Sequence, residues 1–235
     1  MSNAQASTVD DLDGGTADST QLPTSHRWWI LVLVQISTLT FGIAVTSTTV
    51  VVPQIRGALS LTHDEGAWII TLFLAAAAVA TPLTGWLAGK FGWRRFMVAT
   101  LAGFTLSSLA CGLADSLEVL LLARVAQGLF GAPLMPMGQG MLLATFPRHM
   151  HPLVLMLWGT GAVFGPTLGP IIGGVIAESL NWRWAFLAMV PIGALTTALA
   201  AFALGDQERG TARRLAPSGS SVRPPRAGSP RTASA

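Results

Sequence analysis

The chain has 235 residues, of which 51% are hydrophobic and only 11% charged, against about 25% charged in a typical soluble domain. A mean hydropathy of +0.56 means more apolar surface than a soluble core can hide, so lipid covers part of it. The formal net charge of +3 and pI near 10.4 do not indicate nucleic acid, because the arginines flank apolar segments or sit in a Pro/Ser-rich tail.

Residues 1–27 are rich in Ser, Thr, Asp and Gly without an apolar period, which predicts a disordered tail. With that polar lead and the length of the apolar stretch behind it, no cleavable signal peptide is expected. Between Trp28 and Gly205 only twelve residues are Asp, Glu, Lys or Arg, and they cluster in narrow gaps. The gaps leave apolar windows at Trp28–Pro53, Gly66–Gly89, Phe96–Ala114, Val119–Pro147, Pro152–Ala177 and Trp184–Gly205. Each is long enough to cross a hydrocarbon core of about 30 Å, which takes roughly 20 residues. Buried soluble helices are seldom so uniformly apolar, and a membrane barrel would alternate with a period of two. The expected fold is therefore an all-α membrane protein, a six-transmembrane-helix bundle over 28–205. Residues 206–235, with four prolines and six arginines, predict a second disordered tail.

Orientation follows from the basic residues. With the N-terminus cytoplasmic, Arg27, Lys90, Arg94, Arg95 and Arg148 lie inside and only Arg56 and Arg183 outside, five against two before the tail is counted. Both termini are expected to face the cytoplasm, in a multi-pass protein of the cell membrane. Cys111 is alone inside the third window, which leaves no disulfide framework or cysteine metal cluster. There is no nucleotide-binding Gly-rich loop with a lysine, and His149 and His151 sit in a loop as solvated side chains. No enzymatic chemistry, cofactor or metal is expected.

Arg124 is the one charge inside a window. An intramembrane charge costs a few kcal/mol even on mild scales and marks either function or a structural arginine satisfied by carbonyls. It is expected to face the bundle interior beside Gln127, one turn on. In the fifth window Gly161, Gly165, Gly169 and Gly173 recur every four residues. They line one helix face for close packing, with Pro166 and Pro170 bending the helix and Gly174 beside the stripe. The loop Gly85-Trp-Leu-Ala-Gly89-Lys90-Phe-Gly92-Trp-Arg94-Arg95 places three glycines, which allow close approach and a sharp turn, among basic anchors. A central cavity could be lined by Gln35, Thr46, Gln127, Gln139 and Trp158, each of which an interhelical hydrogen bond or interface position explains as well.

Taken together these stretches resemble the major facilitator superfamily. The Gly85–Arg95 loop is similar to the family's cytoplasmic gating loop, and Arg124-Val-Ala-Gln127-Gly128 to its Arg-x-x-Gln-Gly stretch. Gly161 to Gly174 resembles the antiporter motif of proton-coupled drug exporters, whose bend is thought to govern which side the cavity opens to. Ala67-Trp68-Ile-Ile-Thr71 and Trp182-Arg183-Trp184-Ala-Phe186-Leu, then Val190-Pro191-Ile-Gly193, are similar to the fourteen-span drug:proton antiporters. The resemblance runs over about 28–205 and implies the N-terminal bundle of such a transporter, with proton-coupled efflux of small hydrophobic or amphipathic compounds by alternating access.

There are departures. Gly89 stands where the family commonly has an aspartate, and Ala44 and Thr49 stand where the antiporters have the aspartate and asparagine of span 1. No Asp or Glu lies within the six windows, and Asp115 and Glu118 sit at the outer boundary. Alternating access uses two bundles. Six spans are thus expected to act with a missing second half or as a homodimer, or to form a truncated, transport-incompetent half. The expected surroundings are the lipid bilayer and no nucleic acid.

Overall fold

The structure, a computed structural model, describes residues 24–215, with side chains over 27–202. Helix α1 spans Thr24–Leu59, α2 His63–Phe91, α3 Trp93–Gly112, α4 Leu117–Gly131, α5 Leu134–Thr145, α6 His151–Ser179, α7 Trp184–Leu187 and α8 Met189–Leu215. A single 3-10 turn, Arg148–Met150, leads into α6. Among the described residues six stretches are long and apolar enough to cross a membrane: Arg27–Leu59, His63–Phe91, Trp93–Gly112, Leu117–Thr145, Arg148–Ser179 and Trp184–Phe202. Each coincides with one window left by the charge gaps, because a helix satisfies its own backbone and lipid accepts only that.

Two spans are made of two helices. In the fourth, α4 stops at Gly131 and α5 starts at Leu134. Pro133 and Pro136 each lack the N–H that would bond four residues back, although Ala132 and Pro133 keep right-handed helical angles. The Ala132 N–H still reaches Gly128 O at 3.1 Å and Met137 N–H reaches Pro133 O at 3.0 Å, so the span is eased rather than cut. In the sixth, Pro191 cannot donate to the Leu187 carbonyl, and α7 hands over to α8 there.

The last helix continues through Leu215, past the Gly205 boundary that composition suggested. Ala, Leu, Glu, Gln and Arg dominate Asp206–Leu215 and are good helix formers, so a polar segment here extends the helix instead of ending it. At the other end α1 begins at Thr24, a turn before the expected Trp28. The rest of both expected tails, 1–23 and 216–235, lies outside the described residues.

The turns are encoded locally. After α1, Ser60 takes a left-handed φ of 54° and Leu61 N–H closes on Arg56 O at 2.9 Å. Thr62 then caps α2 in a box: its N–H donates to Glu65 Oε2 at 2.8 Å, and Glu65 N–H donates to Thr62 Oγ1 at 3.3 Å. Ser116 caps α4 through Val119 N–H.

Helix α1 packs chiefly along α6, α4 lies against α2 and α3, and α8 against α3 and α1. The core divides into two apolar clusters. One, toward the α2–α3 loop, holds Ile30, Val34, Met97, Phe104, Met137 and Leu142. The other, toward the α1–α2 turn, holds Ile55, Ile69, Leu120, Trp182 and Phe186. Lipid-facing sides remain apolar as well, with Trp29, Leu122, Val163 and Phe202 exposed.

Candidate functional site

Arg124 is 1% exposed and sits at the seam between the two clusters. It is about 10 Å along the helix from Leu117, at 1.5 Å per residue. Its Nη1 donates to Gln127 Oε1 at 2.6 Å, and Gln127 Nε2 donates to Ser108 Oγ at 2.8 Å. The Ser108 hydroxyl passes on to Phe104 O at 2.7 Å. A chain of donors therefore runs from α4 into the backbone of α3. The guanidinium is flanked by Phe73 of α2, 5.0 Å from the ring centroid, and Phe186 of α7, at 4.9 Å. A desolvated cation–π contact contributes about 2 kcal/mol, which offsets part of the cost of burying the charge. Arg124 Nε is buried with no hydrogen-bond partner. Arg124 thus lies inside the bundle beside Gln127, held by a side-chain amide oxygen and two rings, with no backbone carbonyl among these contacts.

Gly128 completes that stretch. A Cβ there would collide with Phe73 O and approach Ala76 Cβ to 3.0 Å, so only glycine lets α4 lie this close to α2 and brings Phe73 over Arg124.

The glycine stripe of α6 faces α1. Gly161, Gly165, Gly169 and Gly173 are all buried. A Cβ on Gly165 would stand 3.0 Å from Leu39 O and 3.2 Å from Gly42 Cα, and one on Gly173 would stand 2.9 Å from Ser47 O. Gly174 looks past the stripe, with only Val50 Cγ1 at 3.9 Å. Reciprocally, Gly42 of α1 receives the Pro166 ring: its Cβ would meet Pro166 Cδ at 2.7 Å. α6 runs unbroken across Pro166 and Pro170.

Hydrogen bonds rung this contact from end to end. Gln35 Nε2 donates to Thr160 Oγ1 at 3.2 Å, and Trp158 Nε1 to Thr38 Oγ1 at 3.2 Å. Thr46 Oγ1 donates to Pro166 O at 3.0 Å, and Gln54 Nε2 to Ala177 O at 2.6 Å. The last of these satisfies a carbonyl that the end of α6 leaves without a donor. The cavity candidates Gln35, Thr46 and Trp158 thus meet at the α1–α6 contact, while Gln139 is half-buried on α5. Thr38, Gln54, Ser108, Thr160 and Phe73 were not singled out from the sequence, and Phe186 only as part of the span-6 stretch, not as a partner of Arg124. Thr and Gln in apolar helices are a weak signal, and a phenylalanine gives none.

In the α2–α3 loop Gly92 adopts φ 85°, a conformation that favours glycine. Arg94 Nη2 donates to Ala201 O of α8 at 3.3 Å, and Lys90 Nζ lies 5.0 Å from the Trp86 ring. Gly85 and Gly89 differ from the expected close helix approach, since a Cβ at either would meet nothing within 4 Å. Both lie on an exposed face of α2, so no helix among the described residues uses the room they leave. On the opposite rim Arg183 Nη2 reaches Asp115 Oδ1 at 2.8 Å and Ala114 O at 3.1 Å, tying α7 to the α3–α4 loop.

The comparisons agree with this architecture. The family model of the Major Facilitator Superfamily matches residues 34–231. The chain is 37% identical over 184 residues to the probable multidrug resistance protein EmrY of Escherichia coli (strain K12), covering 78% of this chain and 36% of that protein. It is 38% identical over 181 residues to the multidrug export protein EmrB of Haemophilus influenzae, covering 76% and 36%. The fatty acid resistance protein FarB of Neisseria gonorrhoeae is 38% identical over 183 residues, covering 75% and 36%. The chain therefore spans about a third of the length of these relatives. Among solved structures, the proton:xylose symporter XylE bound to 6-bromo-6-deoxy-D-glucose shares the fold. Its TM-score is 0.68 at 15% identity, over 77% of this chain and 45% of that one. Six apolar spans, a glycine-striped α6 seated on α1 and a family match over most of the length lead to one conclusion: the chain belongs to the Major Facilitator Superfamily.

Proposed function

We propose that this chain supplies one six-span bundle of a proton-coupled exporter of small amphipathic compounds, of the fourteen-span drug:proton antiporter kind. The observation that carries the reading is the α1–α6 seam, where a four-glycine stripe with two prolines is held against α1. The names of similar proteins, multidrug export, multidrug resistance and fatty acid resistance, support an amphipathic cargo. Transport requires a second bundle to rock against this one. That bundle also brings the proton-carrying acid, since no carboxylate lies within the six apolar windows. Its docking places a helix over Gly85 and Gly89, and the more basic of the two rims sets the orientation, with Lys90, Arg94 and Arg95 cytoplasmic.

A chimera joining this bundle to the complementary spans of a curated relative tests the reading in proteoliposomes with an imposed pH gradient. Gradient-dependent extrusion of a lipophilic fluorescent cation is expected. A chimera that inserts and folds yet moves no dye overturns the proposal, and dye movement insensitive to the gradient overturns the proton coupling. Extrusion by the chain alone, rising with the square of its density in the membrane, would show that two copies suffice.

A further inference from the structure

Pro170 cannot donate to the carbonyl four residues back, which is that of Pro166. Within α6 the Pro166 carbonyl therefore has no donor, and lipid offers none. The structure supplies one from another helix: Thr46 Oγ1 of α1 lies 3.0 Å from Pro166 O. The same hydroxyl is 3.1 Å from Gly42 O, but that carbonyl already faces the Thr46 N–H within α1. The single hydroxyl proton is thus best used on Pro166. Two glycines make the reach available. A Cβ on Gly169 would occupy the position of Thr46 Oγ1, and one on Gly42 would strike the Pro166 ring.

We propose that Thr46 is a positioning residue for the double-proline segment of α6: it replaces, from α1, the hydrogen-bond donor that Pro170 removes. The threonine hydroxyl is short enough to fit the notch left by Gly169. The link makes α1 and the proline segment one mechanical unit, with Gln35–Thr160 and Gln54–Ala177 holding its two ends. Its consequence for transport rests on the exporter reading above; the hydrogen bond itself does not.

The test uses the full chain and a thermodynamic cycle. Thr46→Val removes the hydroxyl at constant shape, Thr46→Ser keeps it, and Pro170→Ala returns the backbone N–H to α6. Carbonyl-13C proline with 15N threonine labels only the Pro23–Thr24 and Pro166–Thr167 peptides, so the Pro166 carbonyl is read directly, with Pro23 as reference. An upfield shift at Pro166 is expected in Thr46→Val, none in Thr46→Ser, and none when Thr46→Val is added to Pro170→Ala. In detergent the folding equilibrium constant should fall about threefold to tenfold for Thr46→Val in the parent, and less than twofold in the Pro170→Ala background. In the chimera, Thr46→Val should lower maximal efflux with KM unchanged, and Thr46→Ser should restore it. An unmoved Pro166 carbonyl in Thr46→Val, or an equal loss in both backgrounds, overturns the proposal. A shifted carbonyl with no efflux from the parent chimera sinks the exporter reading and leaves the positioning role standing.

Discussion

Substituting alanine for Gly165 tests whether the glycine stripe is a fitted contact. The added Cβ would stand 3.0 Å from Leu39 O, 3.2 Å from Gly42 Cα and 3.3 Å from Leu39 Cα. All three are backbone atoms, so no rotamer relieves the clash and α1 must move away. Overpacking of this kind costs about 1–3 kcal/mol. The displacement also stretches the Gln35–Thr160 and Thr46–Pro166 bonds on either side, each contributing about 0.6 kcal/mol in a membrane. The sum is roughly 2–4 kcal/mol. Gly159 of the same helix is the control, because a Cβ there meets nothing within 4 Å. Alanine there should be neutral or stabilise by up to about 1 kcal/mol through helix propensity. Unfolding of both variants in bicelles, followed by tryptophan fluorescence or steric trapping, gives the difference. If Gly165→Ala costs no more than Gly159→Ala, the stripe is not the contact described.

Gln127→Leu should destabilise by about 2 kcal/mol, since it strips the guanidinium of its amide acceptor, while Ser108→Ala should cost about 1 kcal/mol; the reverse order in the same unfolding assay would refute the donor chain. Arg183→Ala should cost less than about 1 kcal/mol, because its Asp115 partner is 92% exposed, and a larger loss would show that the Ala114 carbonyl bond dominates. Single cysteines at Thr62 and His149 should react with an impermeant maleimide from opposite sides of sealed cells, Thr62 from outside, while Cys111 stays silent because it is buried. Labelling of His149 from outside would invert the topology.

The spans were legible because charge gaps mark where helices leave the membrane, and no tertiary contact is needed to see them. Glycine spacing gave the α6 face for the same reason: four residues is nearly one turn. The partner of that face was not legible. Gln35 and Thr160 are 125 residues apart, and one sequence does not say that they meet. Polar side chains such as Thr46 and Trp158 therefore read equally well as cavity lining. Phe73 and Phe186 were invisible around Arg124 because any apolar helix carries such rings. The close approach expected at Gly85 and Gly89 is missing because spacing reports room, not an occupant. The last helix runs past Gly205 because composition registers the end of apolar character, whereas polar residues of good propensity also continue a helix.

Arg124 also has an electrical consequence. It is a monopole in a low-dielectric slab, and no acid within the six apolar windows cancels it. A full charge crossing the bilayer exchanges about 2.3 kcal/mol per 100 mV with the membrane potential. A rearrangement that carries α4 through a tenth of the field thus does about 0.2 kcal/mol of work per 100 mV. The apolar bundle is in this sense a weak voltmeter, and a capacitive current lost in Arg124→Gln would measure how far its needle swings.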